Sequence, residues 1–305
     1  MQRQAFKLFA LSALTASSLV ITPTHATEPL PVVASFSILG DLVKVVGGER
    51  VKLTTLVGPD ADAHEFTPSP AHAKAVLGAR VFLINGLNFE PWAQKLAQSA
   101  GYKGITVVAS KGVKPPTMAA EAEHAHDHAE TDPHAWQNPL NVVQYVSQIA
   151  AGLAKADPSN AATYQANAQA YARQLKDFDA QAKAQFDAIT SAQRKVITSH
   201  DAFGYLAARY GITMLAAEGV NTDSEPSAKH VAELIRQIKR EKIKAVFVEN
   251  MSNPKLIEQL SKDAGVAVGA TLYSDALSDA SGPAPTYLKM MQHNVTQLVA
   301  GMRLN

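Results

Sequence analysis

Residues Pro139 to Ile189 read PLNVVQYVSQIAAGLAKADPSNAATYQANAQAYARQLKDFDAQAKAQFDAI. The tract is rich in Ala, Gln and Lys and holds no run that reads as a strand. Its one break is Asp157-Pro158, where proline ends a helix and Asp157 or Ser159 can cap the next. The spacing predicts a single helix over Ala161–Ile189, rising about 1.5 Å per residue to roughly 40 Å. A helix of that length crosses a whole domain. On either side the texture is different. Before it, Val32–Phe36, Val51–Val57, Val81–Ile84 and Ile105–Val108 read as strands, with helices starting near Ile38, Ser69 and Phe89. After it, strands are expected at Lys195–Ser199, Ile212–Ala217, Lys244–Val248 and Val266–Leu272, with helices near Asp201, Pro226, Asn253 and Pro285. The expected fold is therefore α/β: a βα-alternating lobe, a long rigid helix and a second βα-alternating lobe. The expected divisions are 1–26, 27–158, 159–190 and 191–305.

The first 26 residues stand apart from the fold. Arg3 and Lys7 precede an apolar run from Leu8 to Ile21, and Thr24-His25-Ala26 supplies small flanking residues, so the segment reads as a cleaved secretory signal. Ser12, Thr15, Ser17 and Ser18 interrupt the run, which argues against a membrane anchor of about 20 apolar residues. No cysteine follows it, so a lipoprotein anchor is not expected and a free periplasmic protein is. The 305 residues carry 28 basic and 27 acidic side chains, 47% hydrophobic residues and no cysteine. That balance excludes a disordered chain and gives no basic surplus for nucleic acid. Without cysteine there is no disulfide, thiolate metal site or cysteine nucleophile, so any metal must be held by histidine and carboxylate.

Four such residues recur at loop positions. His64 follows the strand ending at Val57, His200 follows Val196-Ile197-Thr198-Ser199, and Asp275 follows Ala270-Thr271-Leu272-Tyr273-Ser274. His134 sits in the loop Thr131-Asp132-Pro133-His134-Ala135-Trp136. Ligands of open α/β sheets bind beyond the carboxyl ends of the strands, so residues placed there from both lobes can meet in one cleft. Taken singly, a loop histidine is most often a solvated group and Asp275 can simply cap a turn. Together, three imidazoles and one carboxylate suffice to enclose tetrahedral zinc.

The chain resembles the substrate-binding proteins of ATP-driven zinc and manganese importers, the high-affinity periplasmic zinc-binding group in particular. The resemblance runs from Pro31 to Asn305. It rests on Asp62-Ala63-His64-Glu65-Phe66-Thr67-Pro68-Ser69-Pro70, Asn85-Gly86-Leu87-Asn88-Phe89-Glu90, Asp132-Pro133-His134-Ala135-Trp136, Ser199-His200-Asp201-Ala202-Phe203-Gly204-Tyr205, Glu225-Pro226-Ser227-Ala228-Lys229 and Tyr273-Ser274-Asp275-Ala276-Leu277. It implies two α/β lobes joined by a rigid helix with the metal between them. His64 and His134 would be the N-lobe ligands, and His200 and Asp275 those of the C lobe. Relatives that resemble manganese-specific members commonly carry glutamate where this chain has His200, so the resemblance favours Zn2+, with Mn2+ the alternative. It further implies delivery to an inner-membrane ABC permease, a monomeric protein and a periplasmic metal donor.

Between the His64 and His134 motifs, residues Glu121 to Glu130 form a tract with His124, His126 and His128 and no core-forming residues, expected to be a secondary metal-capture loop. His72, His230 and His293 fall in predicted helices and are expected on surfaces or in packing; Glu65 and Glu249 are the carboxylates expected nearest the ligands. The competing class is a zinc hydrolase. It needs an open coordination position and a general base, and the chain has no His-Glu-x-x-His helix, Gly-x-Ser-x-Gly elbow, Walker loop or Gly-x-Gly-x-x-Gly turn. No enzymatic activity is expected.

Overall fold

The computed structural model describes residues 28–114, 131–220, 222 and 226–305. The segment expected to be a secretory leader and the histidine tract with His124, His126 and His128 lie outside the described residues, as does Glu225. The N-terminal lobe is built on four parallel strands, β1 (Leu30–Phe36), β2 (Val51–Val57), β3 (Val81–Ile84) and β4 (Ile105–Val108), in the order β2-β1-β3-β4. Val33 of β1 pairs with Thr54 on one side and Phe82 on the other. The two central strands are covered on both faces, and accordingly β3 is VFLI, buried at every position. Helices α1 (Ser37–Gly47), α2 (Pro70–Gly78) and α3 (Pro91–Ser99) connect the strands. In α1, Ile38, Leu39, Leu42, Val43 and Val46 recur at helical spacing and are all buried.

The alanine-rich tract forms two helices, α4 (Pro139–Ala156) and α5 (Ala161–Asp187). Asn138 caps α4 by accepting a hydrogen bond from Leu140 N, with Pro139 in the first turn, where its missing N–H costs nothing. Gly152 lets α4 lie against the sheet: a Cβ there would stand 2.3 Å from Val107 Cγ2. Along α5 the buried residues Tyr164, Ala168, Tyr171, Leu175, Phe178, Ala182 and Phe186 fall three or four apart, one apolar stripe along the length of the helix. That stripe packs against α1 and α4 of the first lobe and against α6 (Gly204–Tyr210) and α9 (Tyr287–Met302) of the second. The expected cap differs. Neither Asp157 nor Ser159 caps α5, which starts after Asn160 with no side-chain cap; Asp157 Oδ2 instead accepts from Asn160 Nδ2 and Tyr164 OH, both at 2.7 Å.

In the second lobe, β5 (Lys195–Thr198) and β6 (Thr213–Ala216) pair in parallel. The strands expected at Lys244–Val248 and Val266–Leu272 are reduced to isolated bridges, Ile197 to Val246 and Glu249 to Leu272. They still extend the sheet: Ile197 N donates to Ala245 O, Phe247 N to Ile197 O, Gly269 N to Val246 O and Leu272 N to Val248 O. The ladder is broken because Val246 N turns back onto Lys244 O at 3.0 Å. The small residues of Gly265-Val266-Ala267-Val268-Gly269-Ala270 also supply little side chain to pack across a pleat. Helices α7 (Ala228–Glu241) and α8 (Lys255–Ala264) cover one face, burying Leu234, Ile238, Ile257 and Leu260 with Ile197 and Val246. The opposite face, with α9, joins Val196, Phe247, Leu272, Met290, Val295 and Leu298 to the core of the first lobe. One apolar core therefore runs through both lobes.

Buried polar contacts fasten α5 to the second lobe. Asp179 is 4% exposed and takes Arg209 through one guanidinium edge in a bidentate pair, Nε donating to Oδ1 at 2.8 Å and Nη2 to Oδ2, while Tyr210 OH donates to Oδ1 at 3.1 Å. Removing one member of a buried pair leaves its partner uncompensated. Arg209→Ala should destabilise the metal-free protein by about 3 kcal/mol, a fall of roughly 5–10 °C in melting temperature by calorimetry; an unchanged melting temperature would show the pair to be dispensable.

Candidate metal centre

The four candidate ligands come together at the carboxyl ends of the parallel strands. His64 lies in the loop after β2, His134 at the entry to the short helical turn Ala135–Gln137 before α4, and His200 directly beyond β5. Asp275 follows the last extended segment, beyond Leu272. Each contributes one ligand atom to a set lying within 4.8 Å of one another. His64 Nε2 is 3.3 Å from His134 Nε2 and 3.2 Å from Asp275 Oδ2; His200 Nε2 is 3.1 Å from the same oxygen, and His134 Nε2 is 3.6 Å from Asp275 Oδ1. Bonds of about 2.0–2.1 Å to a tetrahedral ion imply ligand separations of about 3.3–3.4 Å. The three distances that share one atom set, 3.1, 3.2 and 3.3 Å, lie close to that value, while the set as a whole spans up to 4.8 Å.

The surroundings aim these atoms. Asp132 Oδ1 accepts from His134 N at 2.9 Å and lies 2.8 Å from its Nδ1, so the proton is held on Nδ1 and Nε2 is left to the centre. Glu249 sits in the corresponding place beside His200: Oε1 accepts from the backbone N at 3.0 Å, and Oε2 lies 2.6 Å from Nδ1 as a charge contact. Asp62 Oδ1 accepts from His64 N at 2.7 Å, and Phe89 sets its ring edge-on to the His64 imidazole, centroids 4.6 Å apart. Glu249 was among the expected carboxylates; Asp132 was not, although Asp62-x-His64 and Asp132-x-His134 repeat one word in which the aspartate accepts from the backbone N–H two residues on. Glu65 is exposed and has no part in the centre. The other described histidines bond elsewhere: His72 to Ser69 N, His230 to Ala216 O and His293 to Thr271 O.

The loop bearing Asp275 is fastened largely from the first lobe. Ser274 O accepts from Trp136 Nε1 and Gln137 Nε2, both at 2.8 Å. Leu277 N donates to Ser37 Oγ at 3.0 Å, Leu277 O accepts from Asp60 N at 2.9 Å, and Asp41 Oδ2 accepts from Tyr287 N at 2.8 Å.

Asp275 is fully buried, and its Oδ1 has no hydrogen-bond partner. Such an oxygen fits a ligand awaiting a cation. Burial alone would raise the Asp275 pKa, but the facing His134 and His200 hold it well below the usual carboxylate range. For His134, burial disfavours the charged ring, and the charge of Asp275 with the contact to Asp132 outweighs it, pushing the pKa up to about 9. His200 is likewise driven well above the ordinary imidazole value: burial opposes the shift, and Glu249 and Asp275 overcome it. Without metal, the centre holds protons where an ion would sit.

Residues 32–301 match the family model described as "ZnuA: Zinc-uptake complex component A periplasmic". The chain is 34% identical over 275 residues to the manganese-binding lipoprotein MntA of Halalkalibacterium halodurans, covering 90% of this chain and 89% of that protein. It is 31% identical over 299 residues to the iron-binding protein YfeA of Yersinia pestis, covering 97% and 94%. Among solved structures it is similar to the periplasmic zinc-binding protein TroA of Treponema pallidum, with a TM-score of 0.82, 29% identity and coverage of 90% of this chain and 99% of that one.

The protonation of the centre has a measurable consequence. Unperturbed imidazoles, with pKa about 6.5, would lose metal to protons only below that value. With His134 near 9, an ion binding at pH 7.5 must expel at least one proton. Calorimetric titration in buffers of different ionisation enthalpy should show that release, and a binding heat independent of buffer would contradict it. The raised His134 pKa stabilises the metal-free fold fully below about pH 6.5, and that contribution is lost as pH rises through about 9. Metal-free protein should therefore melt lower at pH 9 than at pH 6.5.

Proposed function

Because the chain belongs to the family of periplasmic zinc-uptake component A proteins, we propose that it captures zinc through His64, His134, His200 and Asp275 and releases it to an inner-membrane ABC permease. Proteins of this family are substrate-binding components of ABC importers, so the chain is a metal-binding protein and not an enzyme. The observation that carries zinc is the donor set. Three imidazole nitrogens converge with one carboxylate, their ligand atoms all within 4.8 Å of one another. Nitrogen-rich four-coordinate surroundings suit zinc better than harder ions, which prefer oxygen.

A second reading has its own observation. Both oxygens of Asp275 face histidines, Oδ2 toward His64 and His200 and Oδ1 toward His134. If both bound, the ion would have five ligands, as manganese accepts. The names of the relatives, which include manganese and iron as well as zinc, leave room for it.

The protein acts extracytoplasmically and, on our reading, as a free monomer supplied by a periplasmic metal donor. Some relatives are named as lipoproteins; the free form is our reading of a sequence that contains no cysteine. Among the described residues no helix is long and apolar enough to cross a membrane. We keep the division into an N-terminal lobe to residue 158, a linking helix and a C-terminal lobe from residue 191 as the working domain assignment, and the His124, His126 and His128 tract as a weaker capture loop.

Metal analysis of protein purified without added metal, followed by competition between zinc and manganese, tests the assignment. Zinc should be retained at one ion per chain and should displace manganese; manganese retained against equimolar zinc would reverse it. His200→Ala should weaken zinc binding at least roughly 100-fold in titration against a chelator while leaving the chain folded. Wild-type affinity in that variant would remove His200 from the ligand set.

A further inference from the structure

The carboxylate of Glu90 is 4% exposed and touches none of the four ligands, yet it is tied into the turn whose residues Phe89 and Asn85 reach His64 and the Pro133 carbonyl beside His134. Oε1 accepts from Asn85 N at 2.5 Å and from Ser35 Oγ at 2.8 Å, and Oε2 accepts from Gly86 N at 3.3 Å. These bonds close a turn of unusual form. Gly86, Leu87 and Asn88 all have positive φ, at 85°, 55° and 64°, and a run of left-handed residues is disfavoured unless the surroundings impose it. Gly86 has no substitute there, since a Cβ would meet Val108 Cγ1 at 2.5 Å.

The turn has two products. One is the placement of Phe89, fully buried, which packs edge-on against His64 at 4.6 Å and against Phe36 and Trp136 at 4.8 and 4.7 Å. The other is the orientation of the Asn85 amide. Its Oδ1 accepts from Tyr145 OH at 2.5 Å, and its Nδ2 donates to Gly86 O at 2.9 Å and to Pro133 O at 3.0 Å, the carbonyl next to His134. A side chain bonded in this way has one orientation only.

We propose that Glu90 is a positioning residue for metal capture: by holding the left-handed turn it fixes His64 through Phe89 and His134 through Asn85 and Pro133. It sets the distance between the two first-lobe imidazoles before any ion arrives, so the ion need not organise them. The proposal rests on the four-ligand reading above.

The test is Glu90→Gln, which keeps size and shape and replaces one acceptor oxygen by a donor facing backbone N–H groups. In full-length protein, zinc affinity should fall about tenfold, on the scale of partners that orient metal ligands. The visible absorption of the cobalt(II)-substituted protein, which reports ligand geometry, should change in band position or intensity. A merely structural role would lower the melting temperature of the metal-free protein and leave the cobalt band and the affinity of the folded fraction alone. A folded E90Q protein with wild-type affinity and cobalt band overturns the proposal. Should E90Q not fold, the same two measurements on Tyr145→Phe, which frees the Asn85 amide, decide in its place. His200→Ala, run alongside, separates the two failures: if it too binds as wild type, the ligand set is wrong and not only the role of Glu90.

Discussion

A fully buried carboxylate with one oxygen lacking any hydrogen-bond donor needs positive charge nearby, and Asp275 is that group. A lone buried charge is costly unless paired. Three imidazoles surround it, and two of them, His134 and His200, are backed by the further carboxylates Asp132 and Glu249. The cluster therefore holds more negative charge than neutral histidines can offset. The raised pKa values of His134 and His200 favour the charged rings that would supply the balance, and on the four-ligand reading proposed above a divalent ion would take over that part.

The cluster is assembled by contacts between lobes as much as within them. Trp136 and Gln137 hold Ser274 O, Ser37 holds Leu277 N and Asp41 holds Tyr287 N, so the Asp275 loop belongs to the second lobe by sequence and to the first by its fastenings. His200 is carried differently. It stands just beyond β5 with Glu249 behind it, and the hydrogen bond from Tyr205 OH to Asp132 O, at 3.3 Å, links its loop to the first lobe. The long helix α5 and the apolar core continuous through both lobes keep the two halves in one relation.

Much of this was legible in the sequence, for identifiable reasons. The strands of the first lobe are short apolar runs with few competing patterns, and α5 shows its stripe from Tyr164 to Phe186. His64, His134, His200 and Asp275 stood out because a chain without cysteine leaves few residue types able to hold a metal, and because three of them follow strands. Other features depend on distance through space and were not readable. The extended segments around Val246 and Gly269 look like strands by composition, yet a local turn of Val246 N onto Lys244 O breaks their ladder. Asp157 looks like a helix cap, but Tyr164 OH and Asn160 Nδ2 take its carboxylate. The part played by Asp132 was visible only as a repeated Asp-x-His word whose meaning came with the geometry.

The fastening of the Asp275 loop also bears on how the protein comes into being. A chain leaves the ribosome from its N-terminus, and His64 and His134 emerge long before Asp275 and before Tyr287, whose N–H closes onto Asp41. Until those late residues arrive, the first-lobe groups Trp136, Gln137, Ser37 and Asp41 lack the partners they hold in the finished fold. On the four-ligand reading proposed above, the nascent chain would carry two of the histidines without an enclosed coordination sphere, and tight loading would be reserved for a completed molecule.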